Sequence, residues 1–397
     1  MSKLTRREFL YGCSAVTLPA LVACDRQKPS PVDAYIAEYM QLENIAGLSV
    51  AVLRNGAVAL SKGYGLANID KQVPMTPATV QNIASVSKPI TLTAVMQCVE
   101  RGLIELENDA NEYLPLPVRN PNFPDAPITV LQLLTHTSSI ADGANYWGNY
   151  RCGDSTVPLQ RWIDGYLQPD GEFYSAAENF HATPPGEAYE YNNVAFGLLS
   201  YLVQVVVDRD FDDFCRVEIF EPLGMLDTTW FVANSDKSRH AVPYLYVPDS
   251  GLEEPIWGSA RLGVPNAQPL PATFTGFYPD CIYDHPNFAD GFLRTSVNDA
   301  SKFLRMIIGN GMSNGNRVLR EQTVAQMFDR HGITWHQDSR ENGPVVWGHG
   351  GSDPGVSTSL KFRPDNGDGV ILFANTDGVS LGALSSYLFS VVEDLLD

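Results

Sequence analysis

The sequence predicts an α+β fold: one antiparallel sheet built from both chain ends, flanked by helices, with a mostly helical region inserted between them. Three observations predict it. Near the N-terminus, residues 47–54 and 57–64 are β-rich runs on either side of Asn55-Gly56, a pair that favours a tight hairpin turn. Near the C-terminus, residues 356–363 and 370–374 flank a turn through Pro364-Asp-Asn-Gly-Asp-Gly369, and an apolar-periodic helix over 381–396 follows. Between them, residues from about 80 to 310 read as helical, most clearly at 85–101, 129–135, 192–207 and 297–308. A sheet drawn from both termini must bury its apolar faces under helices, and that leaves a cleft where sheet and helical region meet.

The first residues read as an address. Lys3, Arg6 and Arg7 precede an apolar run from Gly12 to Ala23, shorter than the ~20 residues that span a bilayer. Thr5-Arg-Arg-Glu-Phe-Leu10 is similar to a twin-arginine export signal, and Leu21-Val-Ala-Cys24 resembles a bacterial lipobox. The expected division is a signal at 1–23, a tether at 24–32 starting from a lipidated Cys24, and one folded domain at 33–397. Its helical region, about 80–310, is inserted between the terminal sheet segments. Asp33 is the expected N-cap of a first helix running to Leu42. The protein is therefore expected outside the cytoplasm, held to the membrane by its lipid alone.

The chain has 397 residues and a formal charge of −19. A polyanion would be repelled by it, which argues against nucleic acid as a partner. No H-E-x-x-H, paired-Cys or EF-hand spacing occurs, so neither a metal nor another cofactor is expected. Residues 140–190 and 240–290 lack regular periodicity but are rich in aromatics, among them Tyr146, Trp147, Tyr150, Trp162, Tyr174, Trp257 and Tyr283. Loops of that length are functional or disordered, and their aromatic content argues against disorder. Cys98 and Cys215 sit in apolar helical patterns as buried thiols. Cys152 and Cys281 lie in the loop-like stretches and could pair in an oxidising compartment, although sequence alone does not fix connectivity.

Three short elements carry chemistry. Ser85-Val-Ser-Lys88 puts a hydroxyl and an amine one helical turn apart, and Lys88 is the only lysine with a serine three positions earlier. A serine needs a base within hydrogen-bond reach to act as a nucleophile. Pro89 lacks an N–H, so it belongs in a first helical turn and places Ser85 at the entrance. Tyr191-Asn-Asn193 opens an apolar helix. A tyrosine hydroxyl beside a lysine can take a proton, and an asparagine can bridge lysine and substrate. An ordinary helix cap is the alternative for this piece. Trp347-Gly-His349-Gly-Gly351-Ser352 lies on a probable strand, where glycines mark close approach of a backbone or ligand and His349 can donate to a substrate.

S-x-x-K, Y-x-N and H-x-G, in this order, resemble the active-site elements of the class C β-lactamase family, with its penicillin-binding esterases and D-aminopeptidases. Residues 47–52, 128–137 and 220–228 resemble framing stretches of the same superfamily, so the resemblance covers roughly 33–390. It implies a β-lactamase/transpeptidase-like fold and an exported serine hydrolase acting on a small-molecule or peptide ester or amide. By the same resemblance Ser85 is the acylated nucleophile, Lys88 assists it, and Tyr191 is the base. Asn193, His349, Gly351 and Ser352 bind substrate, with the Ser85 and Ser352 N–H groups forming an oxyanion hole. His349 stands where β-lactamases usually carry lysine, a swap that points to the esterase and peptidase branch. The rival expectations are a tethered penicillin- or peptide-binding sensor with little turnover and, more weakly, a true β-lactamase.

Overall fold

The computed structural model describes residues 29–250, 274–329, 333–338 and 343–396; the signal, Cys24 and Trp257 lie outside the described residues. Helix α1 (Pro31–Leu42) is capped by Ser30, whose Oγ accepts from the Asp33 N–H at 3.1 Å. The expectation that Asp33 is the cap is thus corrected. Pro31 needs no N–H partner, and the cap and helix start lie three residues earlier than expected. Asp33 instead accepts from Lys62 Nζ at 2.7 Å and from the Tyr64 hydroxyl at 2.8 Å, tying α1 to the sheet.

Both terminal hairpins enter one seven-stranded antiparallel sheet. Its strands are β1 (Gly47–Arg54), β2 (Ala57–Asn68), β3 (Val73–Pro74), β4 (His336–Asp338), β5 (Val346–Asp353), β6 (Val356–Phe362) and β7 (Gly369–Ala374), in the order β4-β5-β6-β7-β1-β2-β3. The chain ends meet at β1 and β7, where Leu48 faces Ala374 and Leu53 faces Gly369. Both strands are buried on both faces, and the strand period of two sorts their side chains. Leu48, Val50, Val52, Val370 and Leu372 pack on one side with Ile36 of α1 and with Leu384 and Leu388 of the C-terminal helix Gly382–Ser390. Ala51, Leu53, Ile371 and Phe373 point the other way into the larger core. Each fully buried aliphatic side chain contributes about 1.5–3 kcal/mol, so a charge at any of these sites would open a layer. The last helix is shorter than the expected 381–396. Ser390 turns its hydroxyl back onto the Tyr387 carbonyl at 2.6 Å, and a 3₁₀ turn, Val392–Leu396, follows.

The larger core holds α2 (Lys88–Glu100), α3 (Val194–Val207) and α4 (Val297–Ile308). Helices α2 and α3 are apolar around most of their circumference, as central helices must be. The described parts of the two aromatic stretches, 140–190, 240–250 and 274–290, are packed structure. They contain helices Ala144–Trp147 and Leu159–Leu167 and a two-residue pairing of Arg151–Cys152 with Tyr283–Asp284. Trp162, Tyr166, Tyr244 and Tyr283 are fully buried. Cys152 and Cys281 form a disulfide across this pairing, which settles the connectivity left open above, and Cys98 and Cys215 are buried free thiols. The bond closes a separation of 129 residues. By chain entropy it contributes up to ~5 kcal/mol. The double variant Cys152→Ser/Cys281→Ser should accordingly unfold at clearly lower denaturant, and an unchanged midpoint would show that the bond adds nothing.

Candidate active site

The segment before α2 is a 3₁₀ turn, Ala84–Ser87, so Ser85 stands just ahead of the α-helix rather than within it. With three residues per turn, positions 85 and 88 eclipse. Lys88 Nζ lies 3.1 Å from Ser85 Oγ. The turn is held on all sides. Ala84 adopts a left-handed φ of 47°, fixed by its N–H donating to Asn82 Oδ1 at 2.8 Å. The Ser87 hydroxyl donates to the Ala84 carbonyl at 2.6 Å and accepts from the Leu293 N–H at 3.1 Å. Thr358 on β6 donates to the Ile83 carbonyl at 2.7 Å.

Lys88 is fully buried, and its ammonium is fully used. Besides Ser85 it donates to Asn193 Oδ1 at 2.7 Å and to the Asp290 carbonyl at 2.8 Å. The Tyr191 hydroxyl lies 2.9 Å from Ser85 Oγ, and the Tyr191 ring sits 5.0 Å from Lys88 Nζ. Asn193 is fixed from behind by Asp142, which accepts from the Asn193 N–H, its Nδ2 and the Val194 N–H at 2.8–3.0 Å. Asp142 therefore supplies the anion at the α3 N-terminus, where free N–H groups favour one. Asn192, one residue before the N-cap position, supplies a side-chain cap, its Oδ1 accepting from the Ala195 N–H at 3.1 Å. The cap anticipated for this motif falls to Asn192, and Asn193 reaches Lys88 through Oδ1 while its Nδ2 donates to Asp142.

Residues Gly351 and Ser352 on β5 bring the third element alongside. A Cβ on Gly351 would lie 2.3 Å from Thr358 Oγ1, 2.7 Å from the Ile83 carbonyl and 3.0 Å from Ala84 Cβ. Glycine is required there because the Ser85 turn packs directly on the strand. Gly351→Ala should therefore displace β5 from Ser85 and lower kcat by ~10-fold or more. An alanine variant of wild-type activity would show that this approach does not matter. Ser352 and Ser85 line one cavity of about 270 Å³.

His349 is placed otherwise than expected. It is 3 % exposed, and its Nδ1 is 2.6 Å from the Gly350 carbonyl. A carbonyl only accepts, so Nδ1 carries the proton, and the unpartnered Nε2 has none to give a substrate. Burial and the nearby Lys88 push the imidazole down to about 3, so it is a neutral packed ring. The expectation of a substrate donor at this position is corrected. The alternation of β5 turns His349 to the inner face of the sheet.

Several neighbours were not foreseen. His136, with φ of 56°, stacks on Tyr191 at 4.2 Å and accepts from the Asn192 N–H at 3.3 Å, while its carbonyl accepts from the Glu190 N–H at 2.7 Å. It thus holds the backbone on both sides of Tyr191. Burial and Lys88 keep its imidazole well below the ordinary range. Asp290 and Asp353 line the cavity, and burial pushes each carboxyl up to about 7. An acid within the apolar run Phe288-Ala-Asp-Gly-Phe-Leu293 is the signal that would have exposed Asp290, since a buried charge needs a partner. Among the described residues, no cluster of three or more His, Cys, Asp or Glu is disposed to hold a metal.

A seven-stranded sheet with a helical insert, and an S-x-x-K serine in the cleft between them, define a β-lactamase/transpeptidase-like protein. The chain belongs to the Beta-lactamase family, whose model matches residues 32–389. It is similar to Protein flp of Staphylococcus aureus (strain MRSA252), 31% identical over 214 residues that cover 53% of this chain and 39% of that protein. The chain thus spans about two fifths of the length of that curated relative. Its fold is shared with a solved octameric penicillin-binding protein homologue from Pyrococcus abyssi, at a TM-score of 0.67 and 23% identity over 91% of this chain and 77% of that one. It is shared equally with D-amino acid amidase from Ochrobactrum anthropi SV3, complexed with D-phenylalanine, at a TM-score of 0.67 and 20% identity over 91% and 97% of the two chains.

Proposed function

We propose that the protein is a serine hydrolase that cleaves an ester or amide of a small molecule or peptide through an acyl-enzyme on Ser85. The observation that carries this reading is the convergence of Lys88 Nζ and the Tyr191 hydroxyl on Ser85 Oγ, at 3.1 and 2.9 Å, beside an open cavity. In the reaction, Ser85 Oγ attacks the substrate carbonyl and gives its proton to Tyr191. Lys88 spends its three N–H groups on Ser85, Asn193 and Asp290, so it acts as a fixed cation that stabilises the tyrosinate. The backbone N–H groups of Ser85 and Ser352 receive the oxyanion, each worth about 3–4 kcal/mol of barrier. Tyr191 returns the proton to the leaving group, takes one from the water that attacks the acyl-enzyme, and passes it to Ser85 Oγ as the acyl–oxygen bond breaks, which restores the starting state.

Substrate class is tested by comparing kcat/KM for short-chain aryl esters, D-amino-acid amides and β-lactams. The neutral, buried His349 offers no cation to a β-lactam carboxylate. Esters or amides should therefore be turned over at least tenfold faster than β-lactams. A dominant β-lactamase activity would count against this reading, and stable β-lactam labelling without turnover would favour a sensor.

We place the protein outside the cytoplasm, tethered through a lipidated Cys24, on the strength of the Arg6-Arg7 and Leu21-Val-Ala-Cys24 segments. The Cys152–Cys281 disulfide is in keeping with an oxidising compartment. Cys24→Ala should move the protein from the membrane to the soluble fraction, and continued membrane association would argue against the anchor.

A further inference from the structure

Among the described residues only two Tyr, Phe or Trp side chains are exposed, Tyr189 at 59% and Tyr191 at 40%. They stand two positions apart, and the second is the tyrosine whose hydroxyl meets Ser85 Oγ. Glu190 between them faces away, its carboxylate 3.4 Å from His181 Nδ1. Side chains of an extended segment alternate, so Tyr189 and Tyr191 share the opposite face. Both meet His136 there. Tyr191 stacks on the imidazole at 4.2 Å, and Tyr189 meets it edge to face at 5.7 Å. His136 is buried, so its ring is the floor on which the two tyrosines rest. The Tyr189 hydroxyl has no hydrogen-bond partner among the described residues, which leaves an open aromatic face beside the reacting groups.

The proposed reaction decides what comes to that face. Tyr191 gives its proton to the leaving atom, so that atom must come within hydrogen-bond reach of the Tyr191 hydroxyl. The acyl group stays on Ser85, whose adjoining cavity has aromatic walls of its own, Tyr146, Trp147, Tyr150 and Phe292. Tyr189 and Tyr191 are outside that lining, which leaves them to the departing group. An exposed aromatic face gains most from a second ring laid against it, through buried area and ring quadrupoles together.

We infer that Tyr189 is a specificity-determining residue for the leaving group: its exposed ring stacks on an aromatic leaving group while Tyr191 protonates it. The site therefore favours aryl over alkyl leaving groups of equal reactivity. The inference rests on the serine-hydrolase reading, because it needs the acyl bond to break at Tyr191.

The test holds the acyl group fixed. Phenyl acetate and hexafluoroisopropyl acetate release alcohols of similar acidity, one aromatic and one not, and each leaves the same acetyl group on Ser85. With each kcat/KM divided by the ester's uncatalysed hydrolysis rate, the wild-type protein should favour phenyl acetate at least about fivefold. Equal values would overturn the proposal. Tyr189→Ala should remove most of the preference and Tyr189→Phe should restore it, because the ring and not the hydroxyl makes the contact. A preference that survives Tyr189→Ala would also overturn it. Should the alanine variant fail to fold, Tyr189→Leu, which keeps bulk without an aromatic face, makes the same comparison. Loss of acetyl from Ser85, followed by intact mass, should run at the wild-type rate in Tyr189→Ala, since the leaving group has already gone. An equal fall in acylation and deacylation would show that Tyr189 only holds Tyr191 in place, against the proposal. If neither ester acylates Ser85, the hydrolase reading itself falls; acylation by both without preference removes only the leaving-group contact.

Discussion

Ser85→Ala is expected to lower kcat for ester hydrolysis by at least about 10⁴-fold, because alanine leaves Lys88 and Tyr191 in place with nothing to activate. Fold stability should change little. Ser85 is only partly buried, and the turn that carries it is held by Asn82, Ser87 and Thr358 rather than by its own hydroxyl. The variant should therefore keep the wild-type unfolding midpoint while losing turnover, measured with the same aryl ester. Retained esterase activity would place the nucleophile elsewhere in the molecule.

Tyr191→Phe should lower kcat by about 10²–10⁴-fold with a much smaller change in KM. The substitution removes one oxygen and keeps the ring, which would remain stacked on His136 and above Lys88. Any loss then reports the hydroxyl rather than a collapse of the site. The Lys88 ammonium has its three hydrogens on three acceptors, so it cannot replace the missing base without first giving up one of them. An unchanged kcat would transfer the proton to Lys88 and show that its contact with Ser85 is the working one.

The parts of this site that were legible in the sequence are those set by local geometry. Ser85 and Lys88 are three residues apart, and Pro89 marks the helix entrance, so their meeting follows from the pitch of a turn. The terminal hairpins were legible because the near-continuous apolar, β-rich runs in 47–54 and 370–374 fit strands buried on both faces, and Asn55-Gly56 supplies the turn. The partners of Asp142 and Asp290 were not legible. The two acids reach Asn193 and Lys88 across 51 and 202 residues of chain, and no local period encodes such a contact. The misreading of His349 has a different origin. A strand pattern shows that positions 349 and 351 share a face, but not that this face meets the Ile83–Ala84 backbone at Gly351 and buries the His349 ring. The aromatic stretches likewise announced a packed region without showing that Tyr146 and Tyr150 would each hold a carboxylic acid against the cavity.

The most direct measurement is the mass of the intact protein and of its Ser85 peptide after brief reaction with an activated aryl ester and acid quench. A single acyl adduct on Ser85, formed in a burst and lost at the steady-state turnover rate, is the expected result. Turnover with no adduct on Ser85, or an adduct on another residue that forms and decays at the turnover rate, would contradict the assignment of Ser85, Lys88 and Tyr191 as the reacting groups.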